Sequence, residues 1–144
     1  MRVERTFWEK ATAVHVFCHQ ATAPAEAFAR HWHDLARLDE TGHANRALAD
    51  RDIAMAVAAH KSLFFREKDS KGRVIDYKAA VNGNLRLRPE GEALEALRSD
   101  YTRMVSEGAM LEGAEPFDKL IERCLSIETR ANSVSSKDHE ESWH

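Results

Sequence analysis

The sequence predicts an all-α protein: a bundle of about five helices with one long basic loop, at most a short β segment inside that loop, and a disordered C-terminal tail. Three observations lead there. Apolar residues recur every three or four positions through most of the chain, the spacing of helices that each bury one face. Prolines and glycines fall at the ends of these stretches or between them rather than in their middles. With 43% hydrophobic residues in a chain of 144, there is enough apolar side chain for one domain with its own core.

Phe7, Ala11, Val14, Phe17 and Cys18 line up over residues 3–20 and predict the first amphipathic helix. Pro24 suits the first turn of a second helix, where a missing N–H costs no helical hydrogen bond. Ala25, Phe28, Trp32, Leu35 and Leu38 form its apolar stripe, and Thr41-Gly42 closes it. A third helical region covers residues 45–65, with Asp50 placed to cap a restart and Ala54, Met55, Ala58 and Leu63 turned inward. Residues 66–88 carry no clean period, contain Asp69-Ser70-Lys71-Gly72 and Asn82-Gly83-Asn84, and read as the long loop, with a short strand near 73–76. Pro89 opens the fourth helix, with Leu94, Leu97, Tyr101, Met104 and Val105 on one face and Gly108 at its stop. Pro116 opens the fifth, in which Phe117, Leu120, Ile121, Cys124 and Ile127 align. Past Asn132 only Trp143 has much to bury, so the expected organisation is a helical domain of residues 1–132 and a disordered tail of 133–144.

Charged residues make up 31% of the chain, yet the formal net charge is only -3, so no overall field draws it to nucleic acid or to an anionic membrane. The apolar runs fall short of the roughly 20 residues of a membrane span, and the N-terminus lacks a signal-peptide pattern, so a cytoplasmic protein is expected. Cys18 and Cys124 each sit within a helical apolar pattern, where a thiol acts as a small buried hydrophobe.

Local charge is more informative. Lys10 lies on the edge of the first helix's apolar stripe, where an ammonium must snorkel or meet an anion. Asp34 repeats the situation on the second helix, beside Leu35 and one turn from His31 and Leu38. If the two helices pair antiparallel, Lys10 and Asp34 face one cleft, either as an interhelical ion pair or as part of a site. From Lys61 to Arg88, eight basic residues stand against three acidic ones, with Tyr77 and the Phe64-Phe65 pair among them. Lys61, Arg66, Arg73 and Lys78 are the candidates there for RNA or nucleotide-phosphate contact, beside the plainer alternative of a solvated loop.

Other groupings point to less. His15 and His19 are four apart, and His31 and His33 lie near Asp34, but two residues two apart on a helix point about 200° from each other, so no metal site is expected. Asp50-Arg51-Asp52 has the spelling of a metal-binding pair, although helix capping accounts for Asp50. Arg37 and His43, separated by Gly42 among others, are the acid–base pair that a small helical ribonuclease would use.

The segment Glu4-Arg5-Thr6-Phe7-Trp8-Glu9-Lys10-Ala11, followed by His31-Trp32-His33-Asp34-Leu35, resembles the C-terminal region of AbiEii-type nucleotidyltransferases, toxins of bacterial toxin–antitoxin and phage-defence systems. The resemblance continues through His60-Lys61-Ser62-Leu63-Phe64-Phe65, Asp100-Tyr101 with Met104, and Phe117-Asp118 to Arg130-Ala131-Asn132, nearly the whole chain. It implies that Lys10 and Asp34 are catalytic, Lys10 contacting the phosphates of an NTP together with Arg5, and Asp34 supporting the active site. Members of that family also carry a glycine-serine turn and an aspartate-x-aspartate pair upstream of the lysine helix, which hold nucleotide and magnesium; this sequence has neither in that place, and Asp50-Arg51-Asp52 matches the pair only in spelling. The leading expectation is therefore the helical C-terminal portion of such an enzyme, a truncated gene product or a split subunit, inactive alone and binding no cofactor by itself. NTP and magnesium are implied only for the complete enzyme. The implied partners are an N-terminal catalytic half, a cognate antitoxin or a second copy, and RNA as acceptor. The alternative is a stand-alone helical interaction module or homo-oligomer without activity.

Overall fold

The structure, a computed structural model, describes residues 2–20, 29–107 and 115–141, with side chains described as far as residue 133. Among these residues there are seven helices: α1 (Val3–Gln20), α2 (Arg30–Glu40), α3 (His43–Ala49), α4 (Arg51–Phe64), α5 (Tyr77–Val81), α6 (Gly91–Ser106) and α7 (Phe117–Glu141). The all-α expectation holds, with seven helices in place of five.

Both additional helices come from aspartate caps. Asp50 breaks the third helical region with a non-helical φ of -87° and ψ of 84°, and its carboxylate accepts the Ile53 N–H at 3.1 Å, so α3 ends and α4 restarts there. Asp76 does the same inside the basic loop, accepting the Ala79 N–H at 3.0 Å and starting α5 where a loop was expected. Instead of a strand at 73–76 there is one isolated antiparallel bridge, Lys68 with Val74. α7 runs past Asn132 to Glu141, beyond the expected end of the last helix. The expected start of α2 at Pro24, with Ala25 and Phe28, and the stop at Gly108 lie outside the described residues.

α1 is the central element, packed against α2, α3, α4 and α5. Its buried face includes Phe7, Trp8, Ala11, Val14 and Phe17. Phe17 meets the Trp32 ring edge-on at 5.1 Å. Two buried indoles anchor the surrounding backbone: Trp8 Nε1 donates to the Ala47 carbonyl and Trp32 Nε1 to the Leu87 carbonyl, each at 2.8 Å. These bonds satisfy polar atoms that would otherwise be stranded in the core. Gly42, with φ of 81°, adopts the left-handed conformation that lets α2 turn directly into α3. Asp39 on α2 accepts from Arg123 at 3.3 Å and Arg130 at 2.7 Å, tying α7 to the bundle.

Three residues expected to point inward do not: Met55 is 36%, Leu63 74% and Val105 46% exposed. The helical period accounts for each. On α4 the buried residues are Ala54, Val57 and Ala58, and Leu63 lies about 140° around the helix from Ala58. On α6, Leu97, Tyr101 and Met104 are buried, and Val105 is turned about 100° away from Met104. Both cysteines are buried, and burial pushes the Cys18 thiol up to about 12 and raises that of Cys124 as well, the behaviour of core thiols rather than nucleophiles.

Candidate functional site

The two residues singled out at helix seams meet. Lys10 Nζ lies 2.9 Å from Asp34 Oδ2, across the packing of α1 on α2, with side chains 27% and 26% exposed. Each sits where its helix passes from core to solvent: Phe7, Ala11 and Val14 bury the face beside Lys10, and Trp32, His33 and Leu35 bury the face beside Asp34. The contact is therefore a partly exposed ion pair at the edge of the α1–α2 packing. An ammonium carries three protons, so one hydrogen bond to Asp34 leaves Lys10 able to donate to a further anion.

His31 belongs to the same neighbourhood. Its pKa is lowered first by burial and then by the positive charge of Lys10, with Asp34 opposing and Lys61 adding to the effect. Two lysines from different helices thus act on one imidazole. Lys61, half-buried on α4, donates from Nζ to the main-chain carbonyl of Glu9 at 2.8 Å. Its own pKa is lowered by burial, offset by the charge of Glu9.

Arg5 does not join Lys10. Five residues along a helix at about 100° each place it on another face, where it pairs with Glu9 at 3.2 Å. The basic candidates of the loop are also not gathered at one surface. Lys61 lines a cavity of about 520 Å³ between α1, α4 and the chain leading to α5, together with Glu9, Phe17, His60, Phe65 and Tyr77. Arg73 lines a different groove of about 1000 Å³, with His15, His19, Arg86 and Glu128, and is held there by Asp69 at 3.1 Å. Arg66 and Lys78 are exposed.

The remaining sequence candidates have structural partners. Asp50 is occupied by its cap and by Arg2 at 3.3 Å. Arg37 pairs with Glu40 at 3.2 Å, while His43 contacts Arg46, so they form no acid–base pair. His15 and His19 stack with ring centroids 4.4 Å apart, and His15 Nδ1 accepts the Arg86 N–H at 3.1 Å. Among the described residues no group of three or more His, Cys, Asp or Glu is placed to hold a metal ion, so they do not fit a magnesium site. No helix among them is long and apolar enough to cross a membrane.

Sequence reasoning placed Lys61 in a diffuse basic loop and did not connect it with Lys10. The signal was available, because Lys61 stands three residues after the buried Ala58, on the edge of an apolar stripe, as Lys10 stands three after Phe7. His60, Phe65 and Tyr77 carry no periodic signal that would join them to either lysine.

Residues 1–123 match a family model described as nucleotidyl transferase AbiEii toxin, Type IV TA system. No curated protein and no solved structure matches the chain.

Proposed function

Since the chain belongs to the AbiEii nucleotidyl transferase toxin family, a Type IV toxin–antitoxin family, we propose that it is the helical portion of an NTP-dependent nucleotidyltransferase, with Lys10 directed at the triphosphate and Asp34 as its positioning partner. The observation that carries this is the 2.9 Å contact between Lys10 and Asp34, partly exposed rather than in the core. Nucleotidyl transfer joins an acceptor hydroxyl oxygen to the α-phosphorus, breaks the bond to the β-phosphate bridging oxygen and releases pyrophosphate; the hydroxyl proton passes to a base. Negative charge spreads over the phosphate oxygens as this happens, and a fixed ammonium stabilises it. Asp34 holds that ammonium in direction, so its ordering is complete before nucleotide arrives.

Among the described residues no group of three or more His, Cys, Asp or Glu is placed to hold a magnesium ion. In this proposal the metal-binding carboxylates come from protein outside this sequence, and the chain alone binds nucleotide without transferring it. The complete enzyme would arrest growth by modifying an acceptor such as RNA, with an antitoxin as its cognate partner.

Calorimetry of the purified chain with NTP and magnesium tests the proposal, alongside Lys10→Ala. The expected result is micromolar binding that Lys10→Ala weakens at least about tenfold, roughly 1.4 kcal/mol. Absence of binding at millimolar NTP refutes it. A second reading, an interaction module without activity, is favoured by the 74% exposed Leu63 and 70% exposed Phe64 at the end of α4. A strictly monomeric chain that binds NTP would count against that reading.

A further inference from the structure

Glu9 and Lys10 sit side by side on α1, about 100° apart around the helix. Lys10 turns to α2 and meets Asp34, while the Glu9 carbonyl receives Lys61 from α4 at 2.8 Å. Glu9 and Lys61 both line the cavity of about 520 Å³, a size suited to a small-molecule ligand. Four of its ten lining residues carry rings, His60, Phe65, Phe17 and Tyr77, and Glu9 and Glu67 also line it. The His60 and Phe65 rings lie 5.8 Å apart at 46°. Tyr77 donates from its hydroxyl to the Phe65 carbonyl at 2.6 Å, which fixes the backbone that carries the Phe65 ring. At the far end Gln20 donates to the Glu67 carboxylate at 3.1 Å.

Core packing does not explain this arrangement. Phe65 is 54% exposed at the cavity mouth, and Lys61 is half-buried with no carboxylate at ion-pair distance among the described residues. An open aromatic ring, a cavity of nucleotide size and a lysine held at the carbonyl of the residue beside Lys10 are groups that a base, a ribose and a phosphate chain can use. We infer that this cavity takes the base and ribose of the nucleoside triphosphate, the base stacked on Phe65, with Lys61 reaching the phosphate chain from α4 as Lys10 does from α1. This rests on the proposed phosphate role of Lys10, and it adds the place of the base.

Two ligands separate the parts: an NTP, and inorganic tripolyphosphate, which has the charge without base or ribose. Titration of the full chain by calorimetry, with magnesium present, should show NTP binding at least about tenfold tighter than tripolyphosphate, the scale of one base–aromatic stack. Phe65→Ala should remove that advantage and leave tripolyphosphate affinity unchanged, whereas Lys61→Met should weaken both ligands. Phe65→Trp, which keeps a ring, should retain NTP affinity and show tryptophan quenching by NTP that tripolyphosphate does not produce. Far-ultraviolet circular dichroism checks that each variant remains folded; if Phe65→Ala unfolds, the Phe65→Trp quenching decides alone. Equal affinity of the unaltered chain for both ligands, equal weakening of both by Phe65→Ala, or no effect of Lys61→Met overturns the inference while leaving the role of Lys10 standing. Binding of neither ligand overturns both.

Discussion

His15 is 5% exposed on α1, and its Nδ1 accepts the Arg86 N–H at 3.1 Å, a bond that only the unprotonated nitrogen can make. Burial, then the charge of His19, then that of Arg86, push its pKa down from 6.5 to about 3. The unfolded chain therefore takes up a proton below pH 6.5 that the folded chain refuses until about pH 3. A pKa depressed on folding contributes stability that is complete above the unfolded value and is lost as the pH falls. Between about pH 7 and about pH 5 this one group should remove about 2 kcal/mol. His15→Asn keeps an acceptor oxygen near the Nδ1 position and cannot titrate in this range. It should be less stable at neutral pH by about 1–2 kcal/mol from lost packing, yet lose about 2 kcal/mol less than the parent on acidification. Urea unfolding followed by circular dichroism at the two pH values measures the difference. His19, His31 and His33, whose pKa values burial also lowers, are present in both proteins, so their contributions cancel to first order. Equal acid sensitivity in parent and variant would refute a neutral, buried His15.

Trp32→Phe removes the donor to the buried Leu87 carbonyl, and should cost about 2–3 kcal/mol in urea unfolding. Asp50→Ala removes the α4 cap and the contact with Arg2, with an expected loss of about 1 kcal/mol seen as a lower Tm. Lys10→Met and Asp34→Asn, taken through a double-mutant cycle, should show a stability coupling below about 1 kcal/mol, because both side chains are a quarter exposed. A coupling of about 3 kcal/mol would mark the pair as structural instead.

Much of the fold was legible because helices advertise themselves locally. The stripes of α1, of α2 around Trp32 and Leu35, and of α7 from Phe117 to Ile127 are buried as their period implies. The cap at Asp50 was legible too, since it acts within three residues. Asp76 was missed among loop signals, although the same three-residue reach starts α5. Met55, Leu63 and Val105 were misplaced because an apolar residue about 100° to 140° off a stripe has the same composition as one on it.

The candidate site divides along the same line. The sequence by itself determined the helical class, the stripes, the burial of both cysteines, and the oddity of a lysine and an aspartate at the edges of two apolar faces, because each depends on a period that repeats within a few residues. It also carried the family, through the motifs around Lys10 and Asp34. Only the tertiary structure decided that those two side chains touch, that Arg5 stands apart, that Lys61 approaches from α4 onto the Glu9 carbonyl, and that Phe65 and Tyr77 enclose a cavity beside it. Lys61 lies 52 positions from Glu9 along the chain, and no local rule spans that distance; their meeting depends on how α4 packs across α1, which the stripes permit and the whole core selects.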